Sequence, residues 1–125
     1  MSRMLIVDDE PDVRLLCRLN LEQRGHDLLE ASTGSVALEL ARERHPDVIV
    51  LDLMLPGMTG YEVLEILKGD EQTSDIPVLV LTAKSRRADR ARSHGLGASG
   101  FLTKPFLPSE LCELVESLVP IGGRS

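Results

Sequence analysis

Three adjacent acids, Asp8, Asp9 and Glu10, follow a short apolar run near the start of the chain. A fourth acid, Asp52, comes near the end of another apolar run, and Lys104 follows a third. Carboxylate oxygens are hard ligands of the kind that Mg²⁺ prefers, and a lysine ammonium binds the oxygens of a phosphoryl group. These residue types therefore predict metal-assisted phosphoryl chemistry, provided that the fold brings them together.

Carboxylates held close together oppose folding unless something compensates their charge. Two of them about 4 Å apart repel by roughly 4 kcal/mol at the effective dielectric of a protein surface. That is a large part of a typical domain stability of about 5–15 kcal/mol. Lys104 can offset part of the repulsion, and a divalent cation would offset far more. Because no histidine is near the acids, the ligand set favours Mg²⁺ over Zn²⁺.

Asp52 is the best candidate nucleophile, because apolar residues flank it in the stretch "VIVLDLML", and a carboxylate there could form an acyl phosphate. Thr82 ends a further apolar run and offers a hydroxyl donor. Taken singly, a strand-end aspartate is more often a cap or turn former. We interpret Glu10 in that ordinary way, as a first-turn acid favoured by the helix dipole. A set of five candidate residues on four strand ends is much harder to attribute to chance; the five are Asp8, Asp9, Asp52, Thr82 and Lys104.

The elements that must position these residues alternate along the chain. Apolar runs predict strands over residues 3–9, 26–31, 47–53, 76–83 and 99–104, and helical spacing predicts helices over residues 11–25, 32–46, 61–69, 84–95 and 108–118. The fourth helix has only a thin apolar stripe, Ala88 and Ala91. The alternation predicts an α/β domain, a doubly wound parallel sheet covered by helices on both faces. Ligands of such sheets bind at the carboxyl ends of the strands, which is where the candidate residues lie.

Length, charge and cysteine usage narrow the class of protein. The 125 residues fit one domain, and a net charge of −6 argues against a dedicated nucleic-acid-binding surface. Cys17 and Cys112 have neither metal-ligand spacing nor the pattern of a disulfide framework, and free thiols fit a reducing cytoplasm. Neither a signal peptide nor a membrane-spanning run is evident, so we predict a cytoplasmic protein.

Four stretches together resemble the receiver domain of two-component response regulators: "MLIVDDEPD", "DVIVLDLMLPGMTGYEVL", "IPVLVLTA" and "GASGFLTKPF". The resemblance covers residues 4 to about 119 and implies a flavodoxin-like (βα)5 fold with strand order 2-1-3-4-5. We therefore predict a receiver domain at residues 1–119 and a disordered tail, or the start of a linker, at residues 120–125.

The resemblance also implies a role for each candidate residue. Asp52 corresponds to the phosphoacceptor, Asp9 to the direct Mg²⁺ ligand with Asp8 assisting, Met54 to the position whose backbone carbonyl completes the metal shell, Thr82 to the switch hydroxyl, Phe101 to the switch aromatic and Lys104 to the phosphate-binding lysine. The Lys104–Pro105 bond corresponds to a position that is cis in the family. The implied reaction transfers a phosphoryl group from a histidine kinase or a histidine phosphotransfer protein to Asp52. The result is a changed surface at the fourth helix, fifth strand and fifth helix.

Departures from the family pattern bear on the oligomeric state. Ser99 and Gly100 stand where acids often precede the aromatic residue, and the fifth helix lacks the arginines of the dimerising transcription-factor subgroup. We therefore predict a monomer or a weak dimer with no direct nucleic-acid contact by this domain, and the output partner stays open.

Other interpretations stay open at this point. A phosphatase of the haloacid-dehalogenase type would need a second acid two residues after the nucleophile, where Met54 stands. An interaction module that works without phosphorylation is a further alternative, although all the site residues are present. The chain could be a stand-alone receiver or a receiver cut from a longer regulator such as a transcription factor. The cluster Lys84, Arg86, Arg87, Arg90 and Arg92 is either a docking patch for an acidic partner or a solvated helix face.

Overall fold

Strands and helices alternate as the sequence predicts. The computed structural model describes residues 2–83 and 86–120, so Lys84 and most of the predicted tail lie outside the described residues. The strands are β1 (Arg3–Val7), β2 (Asp27–Ala31), β3 (Val48–Leu51), β4 (Val78–Thr82) and β5 (Gly100–Thr103). The helices are α1 (Pro11–Gln23), α2 (Gly34–Arg44), α3 (Gly60–Gly69), α4 (Arg87–Gly95) and α5 (Pro108–Leu118).

The strands form a parallel sheet in the order β2-β1-β3-β4-β5, which confirms the predicted topology. Val7 at the end of β1 pairs with Leu51 at the end of β3. The residues that follow these two strands therefore leave the sheet at the same level, side by side. The Lys104–Pro105 bond is cis, as the resemblance predicts.

Two apolar layers cover the faces of the sheet. Leu5 and Val7 of β1 belong to the layer shared with α2 and α3, whereas Met4 and Ile6 belong to the layer shared with α1 and α5. Strands buried on both faces must be apolar at every position, which is why β1, β3 and β4 appear in the sequence as continuous apolar runs. None of the helices within residues 2–83 and 86–120 is long and apolar enough to cross a membrane.

Local signals at the start of α3 fix where that helix meets the sheet. Thr59 and Glu62 form a reciprocal capping box, with Thr59 accepting from the Glu62 backbone N–H and Glu62 accepting from the Thr59 N–H. Gly60, the first residue of α3, lies directly against the backbone of Asp52 and Leu53, and its N–H donates to the Leu53 carbonyl at 3.0 Å. The start of α3 is therefore packed, backbone to backbone, against the segment that carries Asp52.

The predicted apolar stripe of α4 is wrong. Ala88 and Ala91 are both exposed, and the buried residue of this helix is Ser93, whose hydroxyl donates to the Asp89 carbonyl at 2.8 Å. A helix with so few apolar residues cannot be held to the sheet mainly by burial of apolar surface.

Polar and aromatic contacts hold α4 instead. The Tyr61 hydroxyl of α3 donates to Asp89 Oδ1 at 2.6 Å, and the Arg92 guanidinium lies 3.8 Å from the centroid of the Tyr61 ring. Arg90 lies 4.6 Å from the centroid of the Phe101 ring on β5. Cation–π contacts of this kind contribute about 0.5–1 kcal/mol each at exposed sites. The chain thus uses two of its three aromatic residues to position one helix.

Candidate functional site

Asp8 and Asp52 occupy equivalent places at the ends of neighbouring strands. Asp8 directly follows β1 and Asp52 directly follows β3, and both are buried, with 1% and 3% of their surface exposed. The Glu10 N–H donates to Asp8 Oδ1 at 2.9 Å, and the Met54 N–H donates to Asp52 Oδ1 at 3.0 Å. Each carboxylate is therefore oriented by a backbone donor two residues later.

Lys104 joins these two acids to a third. Its Nζ donates to Asp8 Oδ2 at 2.7 Å, to Asp52 Oδ2 at 3.0 Å and to Glu10 Oε1 at 3.0 Å. Since an ammonium has three N–H donors, each of them has a carboxylate acceptor. The first two acids are buried, whereas 59% of the Glu10 side chain is exposed. An exposed ion pair contributes only about 0.2–1 kcal/mol, so the buried pairs dominate the energetics.

Burial and charge act in opposite directions on the two central groups. Burial disfavours the charged form of Lys104, but its hydrogen bonds to Asp8, Asp52 and Glu10 outweigh burial, so the pKa of Lys104 is raised. Burial is also the largest influence on Asp8 and raises its pKa, against the hydrogen bonds from Lys104 and from the Glu10 backbone. Lys104 therefore stays charged at neutral pH, and ionised Asp8 carries a cost for folding.

The donor set suits a hard divalent cation. Asp8, Glu10 and Asp52 each offer a carboxylate oxygen, and these oxygens lie within 4.8 Å of one another. Three carboxylates facing one ammonium leave negative charge in excess, and oxygen-only ligands are those that Mg²⁺ and Ca²⁺ prefer. The group could therefore hold a metal ion.

The structure brings Asp8, Asp52 and Lys104 together and adds Glu10, which the sequence interpretation had assigned only to the first helical turn. Asp9 is exposed and is not one of the three acids that converge. Glu10 is the N-cap residue of α1, and Pro11 after it fixes the helix start. The dipeptide Glu10–Pro11 was the available signal, because it places an acid at a helix start on the strand-end edge. The metal-binding role of Asp9 stays a prediction.

The remaining predicted site residues lie around this group. Thr82 is buried at the end of β4 and is paired in register with Thr103 of β5. Phe101 is half-buried and packs against the apolar core. The backbone N–H of Met54 orients Asp52, while its side chain is exposed. Their switch and metal-binding roles stay predictions.

The basic patch on α4 is only partly free of intramolecular contacts. Arg86 is exposed and lies 3.9 Å from Asp89, whereas Arg90 and Arg92 stack on aromatic rings. Within the described part of the chain, no carboxylate pairs with Arg87, Arg90 or Arg92. The docking-patch and solvated-face interpretations therefore both remain hypotheses.

Asp8→Asn is expected to raise the free energy of unfolding by about 1 kcal/mol at pH 7 without divalent cations, because it removes one negative charge from three carboxylates that share a single ammonium. The native pKa of Asp8 lies above 3.8, so the native state binds this proton more readily than the unfolded chain does. Ionisation therefore costs stability as the pH rises above 3.8, and the variant escapes that cost. Urea unfolding from pH 4 to pH 7 should show its advantage growing with pH. An advantage that shrinks as the pH rises would contradict this reasoning.

Comparison with known proteins identifies the same family by sequence and by structure. Residues 4–116 match the family model described as response regulator receiver domain. The DNA-binding dual master transcriptional regulator RpaA of Synechocystis sp. is 43% identical over 119 residues, which are 95% of this chain and 49% of that protein. The phosphate regulon transcriptional regulatory protein PhoB of Pseudomonas aeruginosa is 40% identical, over 93% of this chain and 51% of that protein. The chain thus spans about half the length of these two regulators.

Two further proteins match along nearly their whole length. Protein PilH of Pseudomonas aeruginosa is 35% identical over 95% of this chain and 98% of that protein. The solved structure of the chemotaxis protein CheY4 of Vibrio cholerae superposes with a TM-score of 0.90 at 30% identity, covering 95% of this chain and 99% of that one.

Proposed function

Because the chain belongs to the response regulator receiver family, we propose that it accepts a phosphoryl group on Asp52 from a histidine kinase or a histidine phosphotransfer protein. One observation carries the proposal. The Asp52 carboxylate is buried at the carboxyl end of β3, oriented by the Met54 N–H and 3.0 Å from the Lys104 ammonium. A carboxylate held in this way is ready to act as a nucleophile towards phosphorus.

The transfer forms one bond and breaks one. A carboxylate oxygen of Asp52 attacks the phosphorus of a phosphohistidine, the P–N bond breaks, and its electron pair goes to the imidazole that leaves. Lys104 donates to an oxygen of the transferred group, and the Thr82 hydroxyl is a second proposed donor. Asp8, Asp9 and Asp52 with the Met54 carbonyl are the proposed Mg²⁺ ligands, and bound Mg²⁺ would supply positive charge to the phosphoryl oxygens.

The proposed signal is a surface change that begins with charge added at Asp52. Thr82 and Phe101 would respond to that charge. Thr82 ends β4, which pairs with β3, and Phe101 lies on β5, the edge strand beyond β4 that leads to Lys104. The contact between Phe101 and Arg90 would carry any movement of the ring to α4. The surface formed by α4, β5 and α5 is then the face whose partners are selected.

The wider setting follows from the relatives and is part of the proposal. PilH matches along nearly its whole length, which favours a stand-alone receiver, whereas RpaA and PhoB match over about half, which favours a receiver within a longer regulator. We also propose that the domain is cytoplasmic. Its proposed oligomeric state is a monomer or a weak dimer. No direct nucleic-acid contact is proposed for this domain, in keeping with its net charge of −6.

Incubation with acetyl phosphate and Mg²⁺, followed by intact-mass measurement, tests the proposal. The wild-type chain should gain one phosphoryl group, the gain should vanish with excess EDTA, and Asp52→Asn should show none. Asp47→Asn is the matched control, because Asp47 is also buried but precedes β3 at the opposite edge and accepts the Arg3 N–H at 2.8 Å. An unchanged gain in Asp52→Asn, or steady turnover of a phosphoester, would argue for a different activity.

A further inference from the structure

Before a phosphoryl group arrives, all three N–H donors of Lys104 already form hydrogen bonds. Its three N–H groups bond to Asp8, Asp52 and Glu10 at 2.7, 3.0 and 3.0 Å. A phosphoryl oxygen that binds Lys104 must therefore replace one of these carboxylates. Binding of the phosphoryl group to Lys104 therefore exchanges one hydrogen-bond acceptor of the ammonium for another, and the structure indicates which carboxylate is displaced.

Burial separates the three carboxylates. The side chains of Asp8 and Asp52 are 2% and 4% exposed, so neither could turn to water after losing Lys104. Asp8 is also fixed by the Glu10 N–H. Phosphorylation removes the negative charge of Asp52 but leaves it a carbonyl oxygen, which stays buried beside Lys104 as an acceptor. The Glu10 side chain is 59% exposed, so its carboxylate can exchange Lys104 for water at little cost.

Space for the released side chain is present. Glu10 and Lys104 both line an open cleft of about 450 Å³ between the start of α1 and the segment after β5, together with Val13, Leu16 and Phe106. The Glu10 backbone is held as the N-cap residue of α1, so only the side chain has to move. The released carboxylate would then lie at the mouth of this cleft.

We propose that Glu10 is a positioning residue that occupies, on Lys104, the place a phosphoryl oxygen takes, and that phosphorylation of Asp52 displaces it. The inference rests on the proposed function of Asp52 and deepens it. Before transfer, Glu10 accepts from the third N–H of the ammonium. During transfer it competes with the incoming group, so it limits how strongly the site holds that group.

Equilibrium binding of beryllofluoride in the presence of Mg²⁺, followed by fluorine NMR, measures this competition. Glu10→Gln removes the competing charge, and Glu10→Asp keeps the charge on an arm one methylene shorter than the 3.0 Å contact requires. Both variants are expected to bind beryllofluoride about two- to fivefold more tightly than wild type, the range that an exposed ion pair allows. Asp12→Asn is the charge control, because Asp12 is another exposed acid in the first turn of α1.

Each outcome decides the question. Tighter binding by both Glu10 variants and not by Asp12→Asn, with a urea midpoint for Glu10→Asp no lower than that of wild type, supports the proposal. Weaker binding by Glu10→Gln would mean that Glu10 helps to hold the cation, and the proposal fails. It also fails if Glu10→Asp behaves like wild type, because charge alone would then explain the effect. If wild type itself takes up no beryllofluoride, the proposed function of Asp52 fails as well, which distinguishes the two failures.

Discussion

Gly60→Ala is expected to lower the free energy of unfolding by about 3 kcal/mol, the upper part of the range for overpacked sites. A Cβ at this position would lie 2.5 Å from Leu53 Cα and 2.9 Å from the carbonyl carbon of Asp52. Both neighbours are backbone atoms, so the strain cannot be relieved by rotating a side chain. Urea unfolding followed by circular dichroism gives the change directly.

The same substitution should also impair the site in molecules that remain folded. The carbonyl that the new methyl group displaces belongs to Asp52 itself, so the carboxylate moves away from Lys104. Gly69→Ala is the matched control, because Gly69 ends the same helix and a Cβ there meets nothing within 4 Å. We expect the control to unfold at an equal or slightly higher urea concentration, because alanine favours a helix more than glycine does, and to keep its phosphorylation rate. Equal stability of the two variants would show that the start of α3 can shift at no cost.

Lys104→Met is expected to lower the free energy of unfolding by about 3 kcal/mol without divalent cations. The substitution leaves the carboxyl groups of Asp8 and Asp52 buried with no ammonium between them. Their repulsion is then opposed only by backbone donors, so removal of the lysine costs far more than loss of one neutral hydrogen bond. Added Mg²⁺ should restore part of the loss, because the same oxygens can hold a cation. Urea unfolding with and without Mg²⁺ measures both effects.

Lys68→Met provides the comparison for this experiment. Lys68 is also half-buried, but its ammonium donates to two neutral acceptors, the carbonyls of Ile76 at 2.6 Å and Ser74 at 3.1 Å. Its loss should cost about 1 kcal/mol and should not respond to Mg²⁺. Lys104→Met should also be less damaging in the Asp52→Asn background, since one of the charges it leaves unpaired is then absent. A Lys104→Met protein as stable as wild type would overturn this account of the site.

The sequence was sufficient to predict that Asp8, Asp52 and Lys104 meet, whereas Asp9, which it placed at the same edge, is exposed and does not join them. Asp8, Asp52 and Lys104 each follow an apolar run, and parallel strands bring such positions to one edge whatever the details of packing. The same reasoning could not find the contact of Glu10 with Lys104. That contact depends on how far a helix N-terminus lies from the segment after β5, and no spacing along the chain encodes this distance.

Helix α4 shows a different limit of sequence reasoning. Apolar periodicity predicted an inward stripe of Ala88 and Ala91, and both residues are exposed. The helix is attached by Arg90 and Arg92 lying on aromatic rings, and in sequence these arginines cannot be told from solvated charges. Apolar periodicity in a sequence therefore cannot predict how a helix is attached when polar side chains provide most of its contacts.

This mode of attachment has a consequence for the motion of α4. When a helix anchored by apolar burial shifts, it exposes apolar surface to water, and the free-energy cost is proportional to the area exposed. The contacts Tyr61–Asp89, Arg92–Tyr61 and Arg90–Phe101 can instead be exchanged for contacts with water one at a time. Displacing helix α4 is therefore expected to cost less free energy than displacing a helix that is anchored by apolar burial.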